Sequence, residues 1–202
     1  WQAMLMAAGL PNSHHIIIDG FITSGGQKMS KSIGNVISPF DVIEEFKSVT
    51  DYPEDVLRLV LLHDISSFED GDITMEGIRA SYQANLANGI GNLTSRIMKM
   101  AISNDVRIDQ INERIESSGL DVFDVNEYCR SIVLRMNAID ETIATHQPFK
   151  VVKTNPDEGK EMIKNCLVAL KSFAMYLEFA MPKTSAKILE CIRENKMPEK
   201  PL

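Results

Sequence analysis

Three apolar stripes at helical spacing run through the second half of the chain and leave it few ways to fold. Leu86, Ile90, Leu93, Ile97 and Met100 recur at steps of four, three, four and three. That spacing gathers them on one face of a helix. Tyr128, Ile132, Met136, Ile139 and Ile143 repeat the pattern, as do Ile163, Leu167, Leu170, Ala174, Leu177 and Met181. A helix with one apolar face must bury it, and three such helices bury theirs best against one another. The spacing therefore predicts an α-helical bundle from Thr74 onward. Asn155-Pro156 opens the third long helix, Pro182 ends it, and Ile188, Leu189 and Ile192 suggest a last short one. Residues 103–120 are polar and interrupted by Gly119, which reads as a connection holding a short helix. The eleven methionines read as core filler.

The first 75 residues follow other rules. Trp1 to Ala8 reads as the end of a helix, stopped by Gly9 with Pro11 beyond. His14-His15-Ile16-Ile17-Ile18 is a short, β-branched run of the kind found in buried parallel strands. His14 and His15 have no third ligand at a useful spacing, so the pair is not read as a metal site. Phe21-Ile22-Thr23 and Gln27-Lys28-Met29 flank Ser24-Gly25-Gly26, a hairpin arrangement. Ser38-Pro39 supplies an N-cap and a first helical residue, and a further helix is expected over 53–65, opening with Glu54 and Asp55. The acidic stretch from Phe68 to Thr74 reads as a solvated loop that positions the next helix.

The stretch from Gly25 to Asn35 carries the chemistry. Lys28 and Lys31 are mobile point charges, Ser30, Ser32 and the backbone offer hydrogen-bond donors, and the flanking glycines permit tight turns. Those groups suit a polyphosphate whose charge shifts during reaction. A solvated basic loop is the simpler reading of two nearby lysines. However, Lys28-Met29-Ser30-Lys31-Ser32 matches, letter for letter, the KMSKS signature of class I aminoacyl-tRNA synthetases. Gly20-Phe21-Ile22-Thr23 before it and Gly34-Asn35-Val36-Ile37-Ser38-Pro39 after it are most similar to the methionyl branch. Phe68-Glu69-Asp70-Gly71-Asp72-Ile73-Thr74 favours that branch over the isoleucyl and valyl ones. Asp19 departs from the His or Asn the branch usually places before Gly-Phe.

The resemblance covers nearly the whole chain, most strongly its first hundred residues. It implies a mainly α chain: residues 1–75 as the C-terminal end of a Rossmann-type α/β catalytic domain, and residues 76–202 as an α-helical anticodon-binding bundle. Lys28, Met29, Ser30, Lys31 and Ser32 would form the ATP-binding loop, with Lys28 and Lys31 as its catalytic cations. The implied partners are methionine, ATP with Mg2+, and the initiator and elongator methionine tRNAs. Trp1 opens in mid-pattern, so the chain reads as a fragment. The family's HIGH-type motif and most of its methionine pocket lie upstream of the matching region, and the 202 residues alone are not expected to form methionyl-adenylate.

A second candidate site follows from the same resemblance. Asn85, Asn88, Asn92 and Arg96 form a polar stripe beside the first apolar one. By spacing alone this is a solvated helix face, but Asn92-Leu93-Thr94-Ser95-Arg96 matches the family's anticodon-reading Asn and Arg. Pro148-Phe149 stands where the family has a Pro-Trp pair that stacks on an anticodon base. Phenylalanine keeps a π-face and loses the indole donor. Without the resemblance, Phe149 would read as a core anchor.

Composition limits how such a chain could meet RNA. The net charge is −7, yet the acidity lies in the first 80 residues, where Lys28, Lys31, Lys47, Arg58 and Arg79 face twelve acidic groups. The remainder is balanced, so contact there would be local and shape-driven. Cys129, Cys166 and Cys191 are scattered and form no C-x-x-C pair, which fits buried thiols in a reducing cytoplasm and offers no zinc site. No apolar run reaches the length of a membrane span. The remaining alternatives are an isoleucyl- or valyl-type synthetase, or a non-catalytic RNA-binding helical protein that keeps the loop as a relic.

Overall fold

The computed structural model describes residues 1–108 and 124–198. Helices dominate. A short helix α1 (Gln2–Ala7) leads into an extended segment, then a hairpin of β1 (Ile22–Ser24) and β2 (Gln27–Lys28). Helices α2 (Pro39–Phe46) and α3 (Pro53–Leu59) follow, the latter prolonged by one π-helical turn over Val60–Asp64. Strand β3 (Gly71–Asp72) returns to pair in parallel with β1, giving a sheet of order β2-β1-β3.

Next comes one long rod. It begins as α4 (Met75–Ser81), widens to π-helical geometry over Tyr82–Gly91, and resumes as α5 (Asn92–Ser103). Three more long helices complete the bundle: α6 (Val125–His146), α8 (Pro156–Leu177) and α9 (Pro182–Glu194), with the short α7 (Pro148–Thr154) between α6 and α8. The Ser38 cap acts where the sequence placed it, and Thr74 caps α4 in the same way. Ser38 Oγ accepts the Phe40 amide at 3.2 Å, and Thr74 Oγ1 accepts the Gly77 amide at 3.0 Å. Prolines occupy the first position of α2, α3, α7, α8 and α9.

All three stripes face inward. Leu86, Ile90, Leu93 and Ile97 are buried, as are Tyr128, Ile132, Met136 and Ile143, and every member of the third stripe. Met100 and Ile139 sit at the edge of the core. One contiguous core runs from Val42 and Phe46 in α2 to Cys191 in α9.

Several expectations need correction. Ile16–Ile18 is not a strand: Ile16 is 65% exposed and Ile18 77%, and neither belongs to the sheet. An all-apolar strand needs paired neighbours and covering layers on both faces, and among the described residues the only sheet is β2-β1-β3. The stretch from Phe68 to Thr74 is not a plain solvated loop, since it contributes β3. Helix α9 runs 13 residues and is not short. The connection read over 103–120 lies mostly outside the described residues.

Helix α3 ties the first part of the chain to the bundle by gripping the joint between α8 and α9. Arg58 donates from Nε to the Ala180 carbonyl at 2.9 Å and from a terminal nitrogen to the Phe179 carbonyl at 2.8 Å, just past the C-terminal end of α8. The Asp55 carboxylate accepts the Thr184 amide at 2.7 Å, in the first turn of α9. Lys183 and Glu54 add an ion pair at 2.9 Å. Asp55 is almost wholly buried. That burial raises its carboxyl above the usual range, against the opposing pull of Thr184 and Arg58.

A raised carboxyl binds protons more tightly folded than unfolded. Its contribution to stability is therefore full below the ordinary Asp value and is lost as pH rises through the folded one. Denaturant unfolding should show wild type losing stability relative to Asp55→Asn as pH rises from about 4 upward. Asn keeps an acceptor for the Thr184 amide; Asp55→Ala does not, and should cost roughly 1–3 kcal/mol. A pH-independent difference between wild type and Asp55→Asn would contradict this assignment.

Candidate functional site

The KMSKS stretch is mounted on the hairpin. Gly25 and Gly26 have φ of +62° and +73°, the left-handed pair that a two-residue type I′ turn demands. Ser24 pairs with Gln27 and Thr23 with Lys28 across it. From Lys28 the chain passes through Met29, which packs against the core, and into a turn closed by the Gly34 amide on the Ser30 carbonyl at 3.0 Å. Met29 thus pins the loop from inside, while Lys28 and Lys31 stay exposed.

Asn35 fastens the two ends. Its Oδ1 accepts the Ser30 amide at 2.8 Å and its Nδ2 donates to the Lys28 carbonyl at 3.2 Å. The Ser30 and Ser32 hydroxyls lie 2.8 Å apart. The Lys28 ammonium rests over the Phe21 ring, 5.2 Å from its centroid. The motif thus forms a closed turn with two cations on its outer side.

The acidic segment holds this hairpin in place from a distance of nearly fifty residues. Asp72 Oδ1 accepts both the Gly26 amide, at 2.8 Å, and the Thr23 hydroxyl, at 2.7 Å. Asp70 Oδ1 accepts the Phe21 amide at 2.7 Å. Gly20 has to be glycine: a Cβ there would sit 2.0 Å from the Glu69 carbonyl oxygen. The bonds from Gly26 and Thr23 hold the Asp72 carboxyl below its usual range. Sequence reasoning missed Asn35, Asp70 and Asp72. Asn35 was within its reach as a local turn former, but the two aspartates act through a parallel pairing that no local pattern reveals.

The second candidate site lies on the bundle. Asn92 and Arg96 occupy consecutive turns of one face of α5. Asn92 donates to the Asn88 carbonyl at 3.2 Å, and an Arg96 terminal nitrogen donates to Asp140 Oδ1 on α6 at 2.6 Å. The helix before Asn92 is π-helical, and its two asparagines are engaged within it. Asn85 is half-buried there and bonds to Ser81 Oγ at 3.2 Å, while Asn88 accepts from Gln83 at 3.1 Å. Phe149 sits in the first turn of α7, placed by the left-handed Gln147 (φ +46°) that separates α6 from α7. It is 41% exposed and is not the core anchor that an apolar aromatic usually makes.

Helix α8 stands behind both groups. Its Cys166 lines an open groove of about 450 Å³ together with Ile139, His146 and Pro148. Burial pushes the Cys166 thiol up, and the positive charge of Arg96 pulls the other way. Among the described residues, no three His, Cys, Asp or Glu side chains gather into a metal-binding group.

Residues 1–98 match the family of class I tRNA synthetases (M). The methionine–tRNA ligase of Rhizobium meliloti is 29% identical over 211 residues, covering 95% of this chain and 39% of the relative. That of Thermosynechococcus vestitus is 40% identical over 101 residues, half of this chain and 18% of the relative. The chain is a homologue of the methionine–tRNA ligases. Its fold is similar to part of one of theirs: a Mycobacterium tuberculosis methionyl-tRNA synthetase solved with methionyl-adenylate superposes with a TM-score of 0.75 at 26% identity, over 94% of this chain and 40% of that one. The match is thus to part of each ligase, about two fifths of the longest-aligned relatives.

In this ligase homologue the Asp72 tie should act on the loop and not on the whole fold. Asp72→Ala should speed hydrogen exchange at the Gly26 amide with little change in melting temperature. A carboxyl held low in the folded state gives a tie that is present above the ordinary Asp value and lost as pH falls. Wild type, corrected for intrinsic exchange, should therefore approach the variant below about pH 4. Equal exchange in both proteins at neutral pH would show that Asp72 does not hold the turn.

Proposed function

We propose that this chain supplies the ATP-gripping loop and the tRNA-reading helices of a methionine–tRNA ligase, with residues 1–75 serving the first task and 76–202 the second. The observation that carries the reading is the intact KMSKS turn, built with both lysines outward, in a chain homologous to these ligases along nearly its whole length. In the activation step, a methionine carboxylate oxygen bonds to the α-phosphorus of ATP. The bond from that phosphorus to the bridging oxygen breaks, and pyrophosphate leaves with the electron pair. Negative charge grows on the leaving group, so cations that grip it more tightly in the transition state raise the rate. Lys31 has this role first and Lys28 next. Ser30, Ser32 and the Asn35 clamp hold the turn that aims them. The closed turn fits a lid that accompanies chemistry.

In the tRNA-reading part, Asn92 and Arg96 meet base edges of the methionine anticodon, and the exposed face of Phe149 offers a stacking surface. Initiator and elongator methionine tRNAs share that anticodon. The free, buried thiols of Cys129, Cys166 and Cys191 suit a cytoplasmic setting. Among the described helices none is long and apolar enough to cross a membrane.

Lys31→Ala, placed in a complete ligase carrying these residues, should slow methionine-dependent pyrophosphate exchange by roughly a hundred- to a thousandfold. It should leave tRNA binding close to wild type. Exchange at the wild-type rate would remove Lys31 from the transition state.

A further inference from the structure

The first lysine of the KMSKS turn is held by a residue outside that turn. Lys28 Nζ lies 5.2 Å from the centroid of the Phe21 ring, the separation of a cation–π contact. The strand register explains the meeting. Thr23 pairs with Lys28 across the hairpin, so Phe21, two residues before Thr23, is the diagonal neighbour of Lys28 on the same face. That spacing lets an aromatic ring and a long side chain touch. The backbone that carries the ring is fixed on both sides. The Phe21 amide donates to Asp70 Oδ1 at 2.7 Å, and its carbonyl accepts the Gly71 amide at 2.9 Å. Yet the ring itself is 64% exposed, so the core does not account for it. Among the described residues no Asp or Glu forms an ion pair with Lys28. A carboxylate there would neutralise the ammonium and would have to let go before a phosphate could bind. A ring face attracts the cation and leaves its charge intact.

We propose that Phe21 is a positioning residue for Lys28: its ring holds the ammonium on the outer side of the hairpin, where it meets the leaving pyrophosphate of ATP. This rests on the reading of Lys28 as a pyrophosphate-gripping cation. An ammonium has three N–H donors. The ring covers one side of it, and the donors on the far side stay available to phosphate oxygens, so the contact persists while the phosphate is held. A lysine on its flexible four-carbon stem gives up rotamer freedom when it grips an anion. On the ring, much of that order is in place before ATP arrives. A leucine at the same position fills space without attracting the charge. The bonds from Asp70 and Gly71 thereby aim Lys28 as well, because they fix the backbone from which the ring projects.

The test has two arms. In the 202-residue chain, NMR should show the Lys28 Cε protons shifted upfield by the ring, and Phe21→Leu should return them to the position of an unstacked lysine. In a complete ligase carrying these residues, Phe21→Leu should slow methionine-dependent pyrophosphate exchange by about two- to fivefold, the scale of an exposed cation–π contact. Phe21→Trp, with the stronger ring, should keep or exceed the wild-type rate. Phe21→Leu made on top of Lys28→Ala should have no further effect, since the group it positions is gone. Thermal melting checks that each variant is folded. Three results overturn the assignment and leave the lysine reading standing: wild-type Lys28 protons without an upfield shift, Phe21→Leu that exchanges as fast as wild type, or the same slowing with and without the Lys28 ammonium. Lys28→Ala that exchanges at the wild-type rate overturns both.

Discussion

The Asp72 carboxylate is the interaction on which the placement of the hairpin and its lysine-bearing loop depends. Two glycines with positive φ make the hairpin turn possible, but glycine alone leaves a turn free to open. One carboxylate oxygen, bound to the Gly26 amide and the Thr23 hydroxyl, fixes the turn from outside. Asp70 and the parallel pairing of β1 with β3 extend the attachment to Phe21 and Ile22. Immediately after β3 the chain passes through Ile73 to Thr74, which caps α4. The rod that begins there carries Asn92 and Arg96. The loop with the two lysines and the helix with the proposed base-reading groups are therefore anchored at the two ends of one short, hydrogen-bonded crossing.

Local physics made much of this legible. Helical periodicity located the stripes of α5, α6 and α8, because a face that must be buried leaves its period in the sequence. The cap residue Ser38 and the leading prolines Pro39 and Pro156 fixed helix starts, each through a bond or a φ restriction within four residues. The glycine pair located the hairpin. The KMSKS string could be recognised because its lysines, serines and glycines are contiguous. What escaped was set by residues far apart. Nothing in a run of aspartates indicates that one of them will reach back 46 residues to an amide. Likewise, nothing in Asp140 marks it as the partner of Arg96. Ile16–Ile18 shows the reverse case, a strand composition without strand neighbours.

Two backbone irregularities shape the second site. The π-helical stretch over Tyr82–Gly91 turns by fewer degrees per residue than the α-helix that the asparagine spacing assumed, and along it Asn85 is half-buried and bonded to Ser81 while Asn92 is exposed. The left-handed Gln147 breaks what would otherwise be one continuous helix and sets Pro148-Phe149 on a new axis. Such conformations are uncommon for residues other than glycine. Here they decide which polar and aromatic groups stand together around α8.

In the proposed function, α5 and α7 of this chain read unpaired anticodon bases of a methionine tRNA. Chemical footprinting of the intact tRNA bound to the 202-residue chain tests it most directly, since base-specific reagents report which pairing edges the protein covers. Protection of the three anticodon bases, lost when Arg96 is replaced by alanine, is the expected result. Anticodon bases that remain as reactive as in free tRNA under saturating protein would rule out an anticodon contact by Asn92, Arg96 and Phe149.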